Sequence, residues 1–83
     1  MLRSSPEVNL FVEYTEKSAL DEMLGLLRER NIKVLDVEIT RSRKSEHHNA
    51  CVIFSLRLNK KTLLPKLLEK LTAIEKIVSV EEL

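Results

Sequence analysis

Glycine is nearly missing from this chain, with Gly25 the single one in 83 residues. Loops that cradle phosphate need backbone without a Cβ close to the ligand, so this scarcity excludes phosphate-loop and dinucleotide-binding turns. Aromatics are scarce too: Phe11, Tyr14 and Phe54 are the full set, too few rings for a base-stacking platform. The one cysteine, Cys51, cannot form an internal disulfide, which fits a reducing cytosolic setting. No apolar run approaches the roughly 18 residues that cross a bilayer, and the N-terminus has no signal-peptide apolar region. The chain therefore reads as soluble. Its net charge of +1 leaves no broad electrostatic footprint for nucleic acid or anionic lipid.

What remains is an ordinary globular balance, 43% apolar and 33% charged, in a length that supports one two-layer core. The apolar period switches from two to about 3.6 and back, and does so twice. Residues 8–14 read as a strand, with Leu10, Val12 and Tyr14 on one face and Asn9, Phe11 and Glu13 on the other. Ser18 is the expected N-cap of the first helix, with Asp21 returning a bond to it. Leu20, Met23, Leu24 and Leu27 form the helix stripe, and Asn31 suits the left-handed residue that ends it. A second strand begins near Ile32, placing Leu35, Val37 and Ile39 on one face and Asp36, Glu38 and Thr40 on the other. Residues 41–48 carry no apolar side chain and read as an exposed, mobile hairpin loop. A third strand turns Ala50, Val52, Phe54, Leu56 and Leu58 inward. Pro65 fits the first turn of a second helix, with Leu64, Leu67, Leu68 and Leu71 as its stripe. Residues 77–80 make a short last strand.

This pattern predicts an α+β fold, the ferredoxin-like βαββαβ two-layer sandwich. Its four-stranded antiparallel sheet takes the order 4-1-3-2, with both helices on one face. Residues 1–7 read as a linker or disordered lead-in and residues 8–83 as the domain.

Because this fold carries many unrelated functions, each candidate site stands on its own residues. His47 and His48 form an adjacent pair that could bind a transition metal, but Glu46 and Cys51 are the only nearby additions. A solvated loop pair is the expected state on ligand count, so no metal site is expected. Cys51 has no base or orienting group beside it in the pattern, and reads as a small apolar residue rather than a nucleophile. A CxxC pair in the first loop, which serves copper transfer in this fold, is absent. Phe11 stands alone among acids on the outer sheet face, so nucleic acid is not an expected partner. Arg41, Arg43 and Lys44 form a basic cluster that reads as a solubilising loop. No catalytic or cofactor-binding residues emerge. The outer face says more: Phe11, Val34 and Ile53, with Cys51 beside them, are apolar where a lone two-layer domain faces solvent. They are either scattered surface apolars or a surface covered by a partner, and an open edge strand invites pairing as well.

The phrases Asn31-Ile32-Lys33-Val34-Leu35-Asp36-Val37 and Ile74-Glu75-Lys76-Ile77-Val78-Ser79-Val80, in βαββαβ order, resemble an ACT or ACT-like regulatory domain. Amino-acid-binding members carry an Asp-x-Pro-Gly-type turn after the first strand. Here the stretch is Thr15-Glu16-Lys17-Ser18, so the resemblance argues against a small-molecule ligand. A narrower resemblance covers nearly the whole chain. Leu10-Phe11-Val12-Glu13-Tyr14-Thr15-Glu16, the loop before Cys51, and Lys76-Ile77-Val78-Ser79-Val80-Glu81-Glu82-Leu83 are similar to the C-terminal cytosolic domain of MgtC/SapB-family membrane proteins. In that family membrane-spanning helices precede this tail, and the polar start at residues 1–7 is consistent with a cut in the linker after them. The resemblance implies a non-catalytic regulatory or assembly domain on the cytoplasmic side of a membrane-embedded parent, without a cofactor. With the apolar sheet positions it leads to the expectation of a homodimer formed through the sheet. Two other readings stand beside it: a free-standing amino-acid sensor of the ACT type, and an enzyme using His47 or His48 as a base, which lacks a partner for either histidine.

Overall fold

The computed structural model describes residues 5–41 and 48–83. The chain runs β1 (Glu7–Tyr14), α1 (Lys17–Glu29), β2 (Lys33–Arg41), β3 (Ala50–Arg57), a short 3-10 turn (Lys61–Leu63), α2 (Leu64–Thr72) and β4 (Ile77–Glu82). The four strands form one antiparallel sheet in the order β2-β3-β1-β4, the predicted 4-1-3-2 arrangement. One face of that sheet meets both helices. Leu10, Val12, Val52, Phe54 and Leu56 from the central strands pack with Leu20, Met23 and Leu27 of α1 and Leu64, Leu67 and Leu71 of α2. The fold is the ferredoxin-like α+β sandwich.

Most local choices follow from the residues. Asn31 takes φ 56, and its N–H donates to the Arg28 carbonyl while Ile32 N–H reaches back to Leu27 at 2.9 Å. This is the paired C-terminal closure that a left-handed residue permits, and it buries Ile32 against the core. Pro65 sits in the first turn of α2, where a missing N–H costs little.

Three expectations are corrected. Helix α1 starts at Lys17 with Glu16 as its cap, and no side chain bonds the helix end. The Thr15 N–H donates to the Lys76 carbonyl at 2.9 Å, which ties the chain just past β1 to the residue preceding β4 and leaves a two-residue turn. Ser18 is therefore already inside the helix, and the Ser18–Asp21 capping pair does not form. Strand β1 begins at Glu7, within the expected lead-in: the Pro6 carbonyl accepts from Leu58 N–H at 2.9 Å, and Glu7 pairs with Arg57. Strand β2 carries a bulge, so that Val34 opposes Leu56 and Asp36 opposes Ser55, with Leu35 the extra residue. Of the expected loop at 41–48, Arg41 ends β2 and residues 42–47 lie outside the described residues.

Candidate functional site

Side chains that oppose one another across an antiparallel ladder share a sheet face. On the face away from the helices one row crosses all four strands: Glu81, Phe11, Ile53 and Glu38. Phe11 and Ile53 are half-buried by each other and their neighbours, while Glu38 and Glu81 are exposed. The next row along contains Asn9 and Ser55, joined by a 2.8 Å hydrogen bond from the Ser55 hydroxyl, and Asp36. On the other side lie Glu13, Cys51 and Thr40. The Glu13 carboxylate accepts from Asn49 Nδ2 at 2.8 Å, and farther down Arg57 donates to Glu7 at 2.8 Å.

Two of the four residues singled out on this face are thus brought together, and two are not available there. Val34 lies across from Leu56 because of the β2 bulge, so it faces the helices and packs against the core. Cys51 does belong to the outer row but is 1% exposed, so its thiol is not offered to a partner. Its Sγ lies 3.9 Å from the Asn49 carbonyl.

A second surface was not distinguished by the sequence. Val37 and Ile39 of β2 oppose Phe54 and Val52, so they share the helix-side face, while Leu35, expected on the same face, is the extra residue of the bulge. Yet Val37 and Ile39 are 38% and 57% exposed, because the helix layer covers β2 at Val34 and leaves the strand beyond it open. Leu35 at the bulge is exposed as well. Among the described residues, the nine-residue strand β2 thus ends the sheet with an edge that pairs with no further strand and an apolar row beside it.

A cavity of about 500 Å³ opens at the end of the sheet between the β1–α1 turn and the last residues of β2. Tyr14, Lys17, Leu20, Ile39 and Arg41 are among its lining residues. Burial pushes the Tyr14 phenol above its ordinary value, against the opposing pull of the Arg41 guanidinium, so the hydroxyl keeps its proton at neutral pH. Arg41 also donates to the His48 carbonyl at 3.2 Å. His48 is exposed, and His47 lies outside the described residues. Among the described residues no group of three or more His, Cys, Asp or Glu side chains is placed to hold a metal. No described helix is long and apolar enough to cross a membrane.

No protein-family model matches the sequence, and no curated protein does. Solved structures do match in shape. The crystal structure of the ACT domain from GTP pyrophosphokinase of Chlorobium tepidum superposes with a TM-score of 0.77 at 10% identity, over 96% of this chain and 100% of that one. The solution structure of the same domain gives 0.73 at 10% identity, over 98% and 89%. The solution structure of the C-terminal domain of the MgtC protein from Mycobacterium tuberculosis gives 0.76 at 11% identity, over 100% and 90%. At these identities the likeness is one of fold: the chain is an ACT-like domain in architecture.

Proposed function

We propose that this chain is a non-catalytic regulatory and assembly domain, the cytosolic tail of an MgtC/SapB-like, magnesium-transport-associated membrane protein, working as a homodimer joined through β2. The observation that carries the assembly reading is the uncovered β2 edge. A free strand edge with exposed apolar neighbours is a template for pairing, and Val37 and Ile39 supply those neighbours. The full-length likeness in shape to the MgtC C-terminal domain supports the choice of parent. Analytical ultracentrifugation across a concentration series tests the dimer, and a species that stays monomeric at millimolar protein refutes it. The membrane parent is tested in the gene itself. An upstream reading frame encoding apolar spans is expected, and a frame without them removes that part of the proposal.

The cavity beside the β1–α1 turn favours one alternative, a small-molecule sensor of the ACT type. Arg41 and Lys17 on its lining suit an anionic group, and Leu20 and Ile39 an apolar one. The turn Thr15-Glu16-Lys17-Ser18 has no glycine to let backbone approach such a ligand. A thermal-shift screen against amino acids separates the readings, since a ligand bound to the native state raises the melting temperature.

A further inference from the structure

We infer that the outer sheet face is a docking track for a basic amphipathic helix of a partner protein. Its floor is the Phe11–Ile53 pair on the two central strands, and its rails are acidic: Glu81 on β4 at one side, Asp36 and Glu38 on β2 at the other. Of the acids on the floor strands, Glu7 is ion-paired with Arg57, whereas Glu13 accepts a hydrogen bond from the neutral Asn49 amide and keeps its charge. The rail carboxylates are exposed and form no ion pair among the described residues. Unpaired negative charge therefore lies on both rails and at Glu13, two residues along β1 from Phe11, with Lys33 the one cation of the β2 rail, at its far end opposite Arg57.

The spacing fits a helix. From Glu81 to Glu38 the row crosses three strand spacings, about 14 Å, and a helix with its side chains is about 10–12 Å wide. A helix lying over β1 and β3 sets a narrow apolar stripe on Phe11 and Ile53 and carries each flank over one rail. Lysine or arginine on both flanks meets carboxylates on both sides. A second copy of the same face does not fit, because it would set Glu38, Glu81 and Asp36 against their own kind. An acidic lipid surface is repelled for the same reason.

The test uses the whole chain and a synthetic peptide about 18 residues long, above the length at which isolated helices are marginal. It carries one leucine stripe with lysine on both flanks, and a twin carries glutamate instead. Binding is followed by fluorescence anisotropy and mapped by NMR shift perturbation. The lysine peptide is expected to bind with shifts centred on Phe11 and Ile53. The double reversal E38K/E81K, at exposed positions that leave the core intact, is expected to weaken it about tenfold and to bind the glutamate twin instead. Several outcomes overturn the proposal: no binding of the lysine peptide, binding indifferent to the reversal, shifts centred on another surface, or self-association that the reversal abolishes. Because β2 pairing uses a different surface, Ile39→Lys is expected to leave peptide binding in place, which keeps this test separate from the dimer.

Discussion

Replacing Ile39 with lysine separates the β2 edge from the core beneath it. Full burial of an isoleucine side chain is worth about 1.5–3 kcal/mol. Ile39 is 57% exposed in the single chain, so pairing at the edge can still gain about half of that. Val37 at 38% adds about 0.5–1 kcal/mol on the same scale. Each is counted once per copy, which brings the apolar part of a two-fold β2–β2 contact to about 3–5 kcal/mol. The charges on β2 choose the register. A two-fold axis through Val37 sets Asp36 against Glu38, and one through Glu38 sets it against itself. An axis through Ile39 opposes Ile39 to its own copy and Glu38 to Thr40, with no like-charge pair between residues 37 and 41. Ile39→Lys therefore removes about 2–3 kcal/mol of burial and brings two ammonium groups to the axis, for about a hundredfold rise in the dimer dissociation constant. The single chain, with this side chain more than half in solvent, should lose less than about 1 kcal/mol. Sedimentation and chemical denaturation read the two effects separately. In the same register Ile39→Cys places its two sulfurs across an opposed pair with Cα atoms about 4.5–5.5 Å apart, within disulfide range, and oxidation should give a covalent dimer on a non-reducing gel. An Ile39→Lys variant with unchanged association, or failure of Ile39→Cys to cross-link in an associating sample, refutes the reasoning.

Gly25 lies inside α1, exposed, with open space where a Cβ would stand. Gly25→Ala should stabilise the fold by about 0.5–1 kcal/mol in urea melts, and a loss of stability would show that something packs there. Lys76 holds φ 77, which costs a side-chain-bearing residue about 1 kcal/mol. Its ion pairs to Glu16 and Glu75, at 3.7 and 3.9 Å on the surface, are worth little, so Lys76→Gly should be stabilising by about 0.5 kcal/mol. Tyr14 is the only tyrosine, so phenolate absorbance reports it alone. Its midpoint should lie above 10.0 in the folded protein. A phenol that holds its proton more tightly folded than unfolded contributes no pH dependence below the unfolded value. Above that value its burial costs stability progressively, until pH passes the folded midpoint. Tyr14→Phe should remove that part of the alkaline loss, and an ordinary midpoint in the folded protein contradicts the burial argument.

Periodicity carried the order of elements and both helix stripes, because each is a repeat within a dozen residues, and the strand order followed from the crossover rules for two βαβ units. Asn31 and Pro65 were legible for a similar reason, since each punctuates a helix by its own backbone preference. The bulge at Leu35 was not. An extra residue inside Lys33-Val34-Leu35-Asp36 leaves the composition unchanged and reverses the face of everything before it, which is why Val34 was placed outside and lies inside. The start of α1 depended on a bond from Thr15 to Lys76, sixty-one residues away, and no local signal reports such a tie. Alternation put Val37 and Ile39 on one face of β2, and the structure turns that face towards the helices. Whether a helix reaches them is a separate matter, decided by how two helices lie over four strands.

The edge and the outer face can act together, because strand pairing uses the backbone of β2 and its helix-side row and leaves Glu38 on the other face. With the axis at Ile39 the sheet continues through the dimer, and both docking tracks open on the same side of it. From the midline of one track, between β1 and β3, to that of its mate is four strand spacings, about 19 Å. Two helices each about 10–12 Å wide lie side by side in that distance without clashing. A peptide joining two lysine-flanked helices by a flexible linker should therefore bind the dimer more tightly than one helix does, by tenfold or more, as effective concentration dictates for a linker that spans the sites. On the Ile39→Lys monomer the second helix finds no track and the gain should vanish. A tandem peptide that binds dimer and monomer alike would show that the two tracks do not share a face, and with it that the copies do not meet at β2.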